Sequence, residues 1–131
     1  MRRNLFMVFA VAVLAMALYG CAALRPGADQ FLTRSEQTFD VAFWSVDSLF
    51  RVEKVTPELD QLVPGSHAVI DRMRKDAPPV FMAAMNAMDA YQANPTEAGK
   101  ARVTQALAVA TSLSQDAASW LAKITTAKGG A

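Results

Sequence analysis

Cysteine and histidine are almost missing from this chain: its 131 residues include one of each, Cys21 and His67. A single thiol excludes an internal disulfide, so the fold must be held together by packing. His67 follows the Pro64-Gly65 turn with no nucleophile motif beside it, and reads as a solvated residue in the first turn of a helix. Gly-rich phosphate loops and dinucleotide fingerprints are missing as well. Carboxylates occur only as scattered surface acids, Asp71 and Asp76 among them, so the sequence points away from an enzyme and implies no cofactor. Charge of one sign is not in excess either. Thirteen Lys and Arg stand against twelve Asp and Glu with no basic patch or acidic tail, which makes nucleic acid a poor partner. Runs of β-branched or aromatic residues are scarce and alanine is abundant, which favours helices over sheet.

The chain does have one long apolar run, and it lies at the start. Met1-Arg2-Arg3-Asn4 is followed by 14 apolar residues from Leu5 to Leu18, then Tyr19, Gly20 and the lone Cys21. The run suits a signal peptide's apolar core and is shorter than the roughly 18 residues a membrane-spanning helix needs. Leu18-Tyr19-Gly20-Cys21 resembles the lipobox of bacterial lipoproteins: a branched apolar residue, a variable position, Gly or Ala, and Cys. That resemblance covers the signal alone. It implies a signal peptide over 1–20, cleaved between Gly20 and Cys21, with fatty acids such as palmitate on the sulfur and amino group of Cys21. Each buried methylene adds about 0.8 kcal/mol and a single chain holds only marginally, so two or three chains give a stable attachment. By the same resemblance Ala22, standing where an aspartate would signal inner-membrane retention, places the protein on the periplasmic face of the outer membrane in a Gram-negative host.

Two other readings of the same segment stand beside this one. An uncleaved anchor would run from Leu5 to Leu24, with Arg25 at the far interface and the rest of the chain still exported. Alternatively Cys21 is a buried structural thiol.

Loss of 1–20 leaves 111 residues, enough for one domain and not two, with 11 basic against 12 acidic side chains once Arg2 and Arg3 are gone. Residues 21–28, with Pro26 and Gly27, form a short tether after the lipidated cysteine. The domain itself spans 29–128. A first helix is expected from Asp29 to Val55, because Leu32, Phe39, Ala42, Phe43, Val46, Leu49 and Phe50 recur at steps of three and four. Val41, Trp44, Val52 and Val55 widen that stripe, Asp47 and Arg51 make an i,i+4 pair, and Thr56-Pro57 stops the helix. Pro57 to Leu62 has room for one helical turn.

Ser66 is placed to cap a second helix running to about residue 93, in which Pro78-Pro79 predicts a kink or a break near Asp76, with Asp76 capping the second piece. Asn94-Pro95-Thr96-Glu97 predicts the start of a third helix, with Asn94 as N-cap, and Gly129-Gly130 ends it. The expected fold is all-α: an antiparallel bundle of three long helices, the middle one kinked or broken at Pro78-Pro79, after an N-terminal signal helix.

Met82, Met85 and Met88 are the one constellation with ligand chemistry, since thioethers suit Cu(I). Steps of three turn successive sulfurs by about 60° around a helix, so the trio spirals. Met85 and Met88 fall in the apolar stripe with Phe81 and Ala84, where methionine is ordinary core filler, and no metal is assigned. Trp44, Trp120, Phe39, Phe43 and Phe50 are expected inside the bundle, because a domain this small needs most of its large side chains there. Any left outside would serve a protein partner or self-association. The expected function is a membrane-anchored helical interaction or structural module of the bacterial envelope. A periplasmic carrier of a small ligand or copper is the alternative.

Overall fold

The computed structural model describes residues 29–130. The expected signal peptide and helix over 1–20, the Leu18-Tyr19-Gly20-Cys21 motif and the tether over 21–28 lie outside the described residues. Four helices follow one another: α1 Gln30–Lys54, α2 Leu59–Leu62, α3 Ser66–Ala93 and α4 Glu97–Gly129. The described residues contain no strand, and the three long helices pack on one another. No helix among them is long and apolar enough to cross a membrane.

Asp29 starts α1 as a side-chain cap, its Oδ1 accepting from the amides of Phe31 at 2.9 Å and Leu32 at 3.3 Å. Its other oxygen accepts from the Tyr91 hydroxyl at 2.6 Å, so the beginning of α1 lies against the end of α3. At the opposite end Glu53 of α1 meets His67 in the first turn of α3, and the two helices run in opposite senses. Lys128 donates to Thr56 Oγ1 at 2.7 Å and Lys100 sits 5.7 Å from the Phe31 ring, so α4 runs alongside α1 in the same sense.

Three helix signals resolve differently from the sequence expectation. Ser66 is the first residue of α3 and not its cap: the cap is Gly65, at φ 83, in the left-handed region that a side chain would strain. That turn brings α2 back over the start of α3. The Asp60 carboxylate then accepts from both the Ser66 hydroxyl and the His67 amide at 2.9 Å, replacing the expected hydroxyl cap with an ion six residues away.

Of the kink or break expected at Pro78-Pro79, the break does not occur, and Asp76 caps nothing, because α3 is one helix through both prolines. Each proline withholds a donor from the carbonyl four residues back, at Arg74 and Lys75. All four of these residues are exposed, while Ala77 and Phe81 hold the buried side of the helix in the core.

The third difference lies at α4. Asn94 closes α3 with its amide on the Ala90 carbonyl at 3.1 Å, in an extended conformation that Pro95 favours, and Thr96 becomes the cap. Thr96 Oγ1 accepts from the Gly99 amide at 2.9 Å. A Cβ at Gly99 would stand 3.1 Å from that oxygen and 3.2 Å from Tyr91 Cδ2, so any larger residue would push both side chains back by a few tenths of an ångström where α3 and α4 approach.

The core forms two clusters. Leu49, Leu59, Ile70 and Ile124 anchor the one near the α2 end, and Met88, Tyr91, Val103 and Leu107 the one near Asp29. Where α1 meets α4 the buried residues are small, Ser35, Ala42, Ala110, Ser114 and Ala117, which lets the helices approach closely. Full burial of a side chain such as Leu49 contributes about 1.5–3 kcal/mol.

Candidate functional site

Helix α1 carries more apolar surface than its neighbours cover. Ala42, Val46 and Leu49 point into the core, but Phe43 is 44% exposed and Trp44 56%, and Val41 is also largely open to solvent. The expectation that these aromatics are buried within the bundle fails for Phe43 and Trp44. The stripe is wider than the surface that α3 and α4 present to it. Phe39 and Phe50 are half-buried, as is Trp120, whose ring lies 4.4 Å from the Lys123 ammonium.

Between α1 and α3 these side chains border an open groove of about 330 Å³, lined by Phe43, Val46, Asp47 and Phe50 from α1 and by Arg74, Ala77, Pro78 and Phe81 from α3. Spacings of three and four put each set on one helical stripe. The aromatic wall is a connected set: Phe81 meets Phe39 edge-on at 5.4 Å and Phe43 edge-on at 5.5 Å, and Phe43 meets Trp44 at 6.2 Å. Edge-to-face pairs of this kind each add about 0.5–1.5 kcal/mol beyond area burial, so the wall is pre-formed.

Two guanidinium groups edge the groove. Arg51 lies over the Trp44 ring at 5.6 Å and donates to Asp47 at 2.6 Å. Arg74 lies over Phe50 at 5.1 Å and pairs with Asp71 at 3.1 Å and with Glu53. Glu53 also meets His67 Nδ1 at 2.9 Å, so His67, expected as a solvated residue, is instead half-exposed and paired. The Glu53 side chain is only 12% exposed. Burial pushes its carboxyl up, but hydrogen bonds from His67 and Arg74 outweigh that and hold it below its ordinary value. The Glu53 hydrogen bond in turn raises His67.

Two further grooves of about 450 and 530 Å³ follow the α1–α4 seam, and Arg34, Thr38 and Thr111 line both. Thr38 already donates to the Arg34 carbonyl at 2.9 Å, and Ser35 to that of Phe31 at 2.8 Å. The α1–α3 groove joins a concavity to the exposed aromatic surface of Phe43.

The methionines separate. Met88 is buried in the second cluster, whereas Met82 is 62% and Met85 50% exposed. Met85 was expected in the apolar stripe, but it faces outward because α3 turns its Ala84 and Met88 side to the core. Among the described residues no three His, Cys, Asp or Glu side chains are grouped to hold a metal ion. Asp71 joins Arg74, and Asp76 stays on the exposed face of α3. Gly20 and Cys21, the expected processing and lipidation residues, lie outside the described residues. Sequence reasoning missed Arg74, Ala77 and Pro78 as groove residues. The signal was there: Arg74, Ala77, Pro78 and Phe81 stand at i, i+3, i+4 and i+7 on one helical face, hidden by treating the prolines as breakers.

Compared with protein-family models, curated proteins and solved structures, the chain matches none.

Proposed function

We propose that this protein is a lipid-anchored lipoprotein of the bacterial envelope, facing the periplasm from the outer membrane in a Gram-negative host. Its folded part is then an antiparallel bundle of three long helices that acts without catalysis, as an interaction or structural module working through the α1–α3 groove. The anchor is supported by the order of charged start, 14-residue apolar run and Leu18-Tyr19-Gly20-Cys21. One observation carries the interaction: Phe43 and Trp44 stand exposed beside a concave apolar groove, in a domain small enough to need such side chains inside.

Two measurements test this. Radiolabelled palmitate is incorporated by the wild type and not by Cys21→Ser; equal labelling of both removes the anchor. Crosslinking in intact cells traps the wild type in a complex, and Trp44→Ala reduces the yield; a chain that is trapped with nothing removes the interaction module. A small-ligand carrier is the alternative, favoured by a groove volume at the lower end of small-molecule pockets. Saturable uptake of an apolar fluorophore, displaced by Phe81→Trp, would support it.

A further inference from the structure

The groove and an exposed indole are neighbours: Trp44 meets at 6.2 Å the ring of Phe43, which lines the groove. Trp44 projects beside a concavity with room for an indole ring, and its own groove is already walled by Phe43, Phe50 and Phe81. A surface that carries both knob and hole is complementary to itself, which is what a twofold pair requires. We infer that the α1–α3 groove takes a second copy of this chain, each copy seating its Trp44 in the other's groove. This rests on the proposed role of that face as an interaction surface.

The levels along the helix agree with such a pair. The groove's α1 lining runs from Phe43 to Phe50 and Trp44 lies within that span, within about 5 Å of its middle at 1.5 Å per residue. A twofold axis along the helices therefore sets each Trp44 opposite the other groove, with both Asp29 ends facing the same way. Two chains anchored in one leaflet need that arrangement, and the shared anchorage raises their effective concentration.

Charge fits as well. Arg51 rides on the Trp44 ring and travels with it, while the groove's own carboxylate is Asp47, the Arg51 partner within one chain at 2.6 Å. Pairing brings the Arg51 of each copy to the Asp47 of the other, turning two local ion pairs into a ring of four alternating charges. Arg74 enters already matched by Glu53 and Asp71, so no charge is buried alone. A lipid surface fits less well: it would leave the concavity unfilled and set Asp47 and Asp71 against headgroups. The aromatic side chain that lines an α1–α4 groove, Phe31, is half-buried, whereas Trp44 is 56% exposed.

The test uses the full-length chain. A photoreactive benzoyl-phenylalanine in place of Trp44 keeps an aromatic knob. On irradiation of cell membranes it should yield an adduct of twice the chain mass, with the crosslinked peptide mapping to 43–50 or 74–81; the same probe at Gln105 on α4 should not. In density-matched detergent the wild type should sediment as a reversible dimer, and Trp44→Ala should raise the dissociation constant at least about tenfold with an unchanged helical spectrum. Adducts only with lipid or with a different protein, a wild type that stays monomeric, or a Trp44→Ala variant that dimerises as well as the wild type would each overturn the pairing. Capture of a different protein would leave the interaction module standing. Failure of palmitate labelling would remove the anchor without touching the dimer.

Discussion

Tyr91 near the end of α3 donates its hydroxyl at 2.6 Å to the carboxylate of Asp29, the residue that caps α1 62 positions earlier. One oxygen of Asp29 serves the local helix start and the other ties that start to a distant helix. The two roles support each other, since a carboxylate fixed by backbone amides is already oriented for the phenol. The Tyr91 hydrogen bond and the two amides hold Asp29 below its ordinary value, and the same bond pushes Tyr91 up to about 12.

The clasp should show as non-additivity. Tyr91→Phe and Asp29→Asn each lower the denaturation midpoint, and the double variant should lose clearly less than the two losses together. Denaturant unfolding followed by circular dichroism measures this. Strict additivity would mean that the two residues act separately.

Buried and exposed apolar residues should respond very differently to truncation. Leu49→Ala removes a side chain with no exposure and should cost about 2–5 kcal/mol, whereas Met82→Ala, at 62% exposed, should stay within about 0.5 kcal/mol. Comparable losses at both positions would contradict the way α3 is turned toward the core.

Stability should depend on pH through Glu53, His67 and Asp60. His67 is raised in the fold by Glu53, so its contribution is complete below the ordinary value of 6.5 and is lost as pH rises through the raised folded value. Glu53 and Asp60 are lowered, so theirs is complete above the ordinary values of 4.5 and 3.8 and is lost as pH falls through the folded ones. The wild type should therefore be most stable between these ranges, and His67→Gln should flatten the decline as pH rises above 6.5. An unchanged decline in that variant would show that the Glu53 pairing is not its source.

The second proline of α3 should be dispensable. Pro79→Ala returns an N–H to the Lys75 carbonyl at an exposed position outside the groove, and the gain in helix propensity exceeds the added freedom of the unfolded chain. We expect a rise of about 1–2 kcal/mol in unfolding free energy. A loss would mean that the proline ring supports packing at this point.

The extents of the long helices were legible because they depend on neighbours in the chain. Apolar spacing marked α1 and α3 nearly to their ends, Thr56-Pro57 and Gly129-Gly130 marked stops, and the Asp47–Arg51 pair follows from an i,i+4 step. The half-buried and exposed fates of Phe39, Phe43, Trp44 and Met85 were not legible. A helix with an apolar face wider than its neighbours' surfaces must leave part of it outside, and only the packing of α1 against α3 and α4 determines which part.

The sequence by itself thus determined that the described residues are helical and how long their helices run, since backbone hydrogen bonding and hydrophobic period act over a few residues. Only the tertiary structure decided that Asp60 and not the Ser66 hydroxyl caps α3, that α3 passes unbroken through two prolines, and that Trp44 ends beside an open groove. Each of those outcomes turns on groups that are close in space after folding and six or more residues apart, or on which face of a helix the solvent reaches. Short-range periodicity carries no information about either.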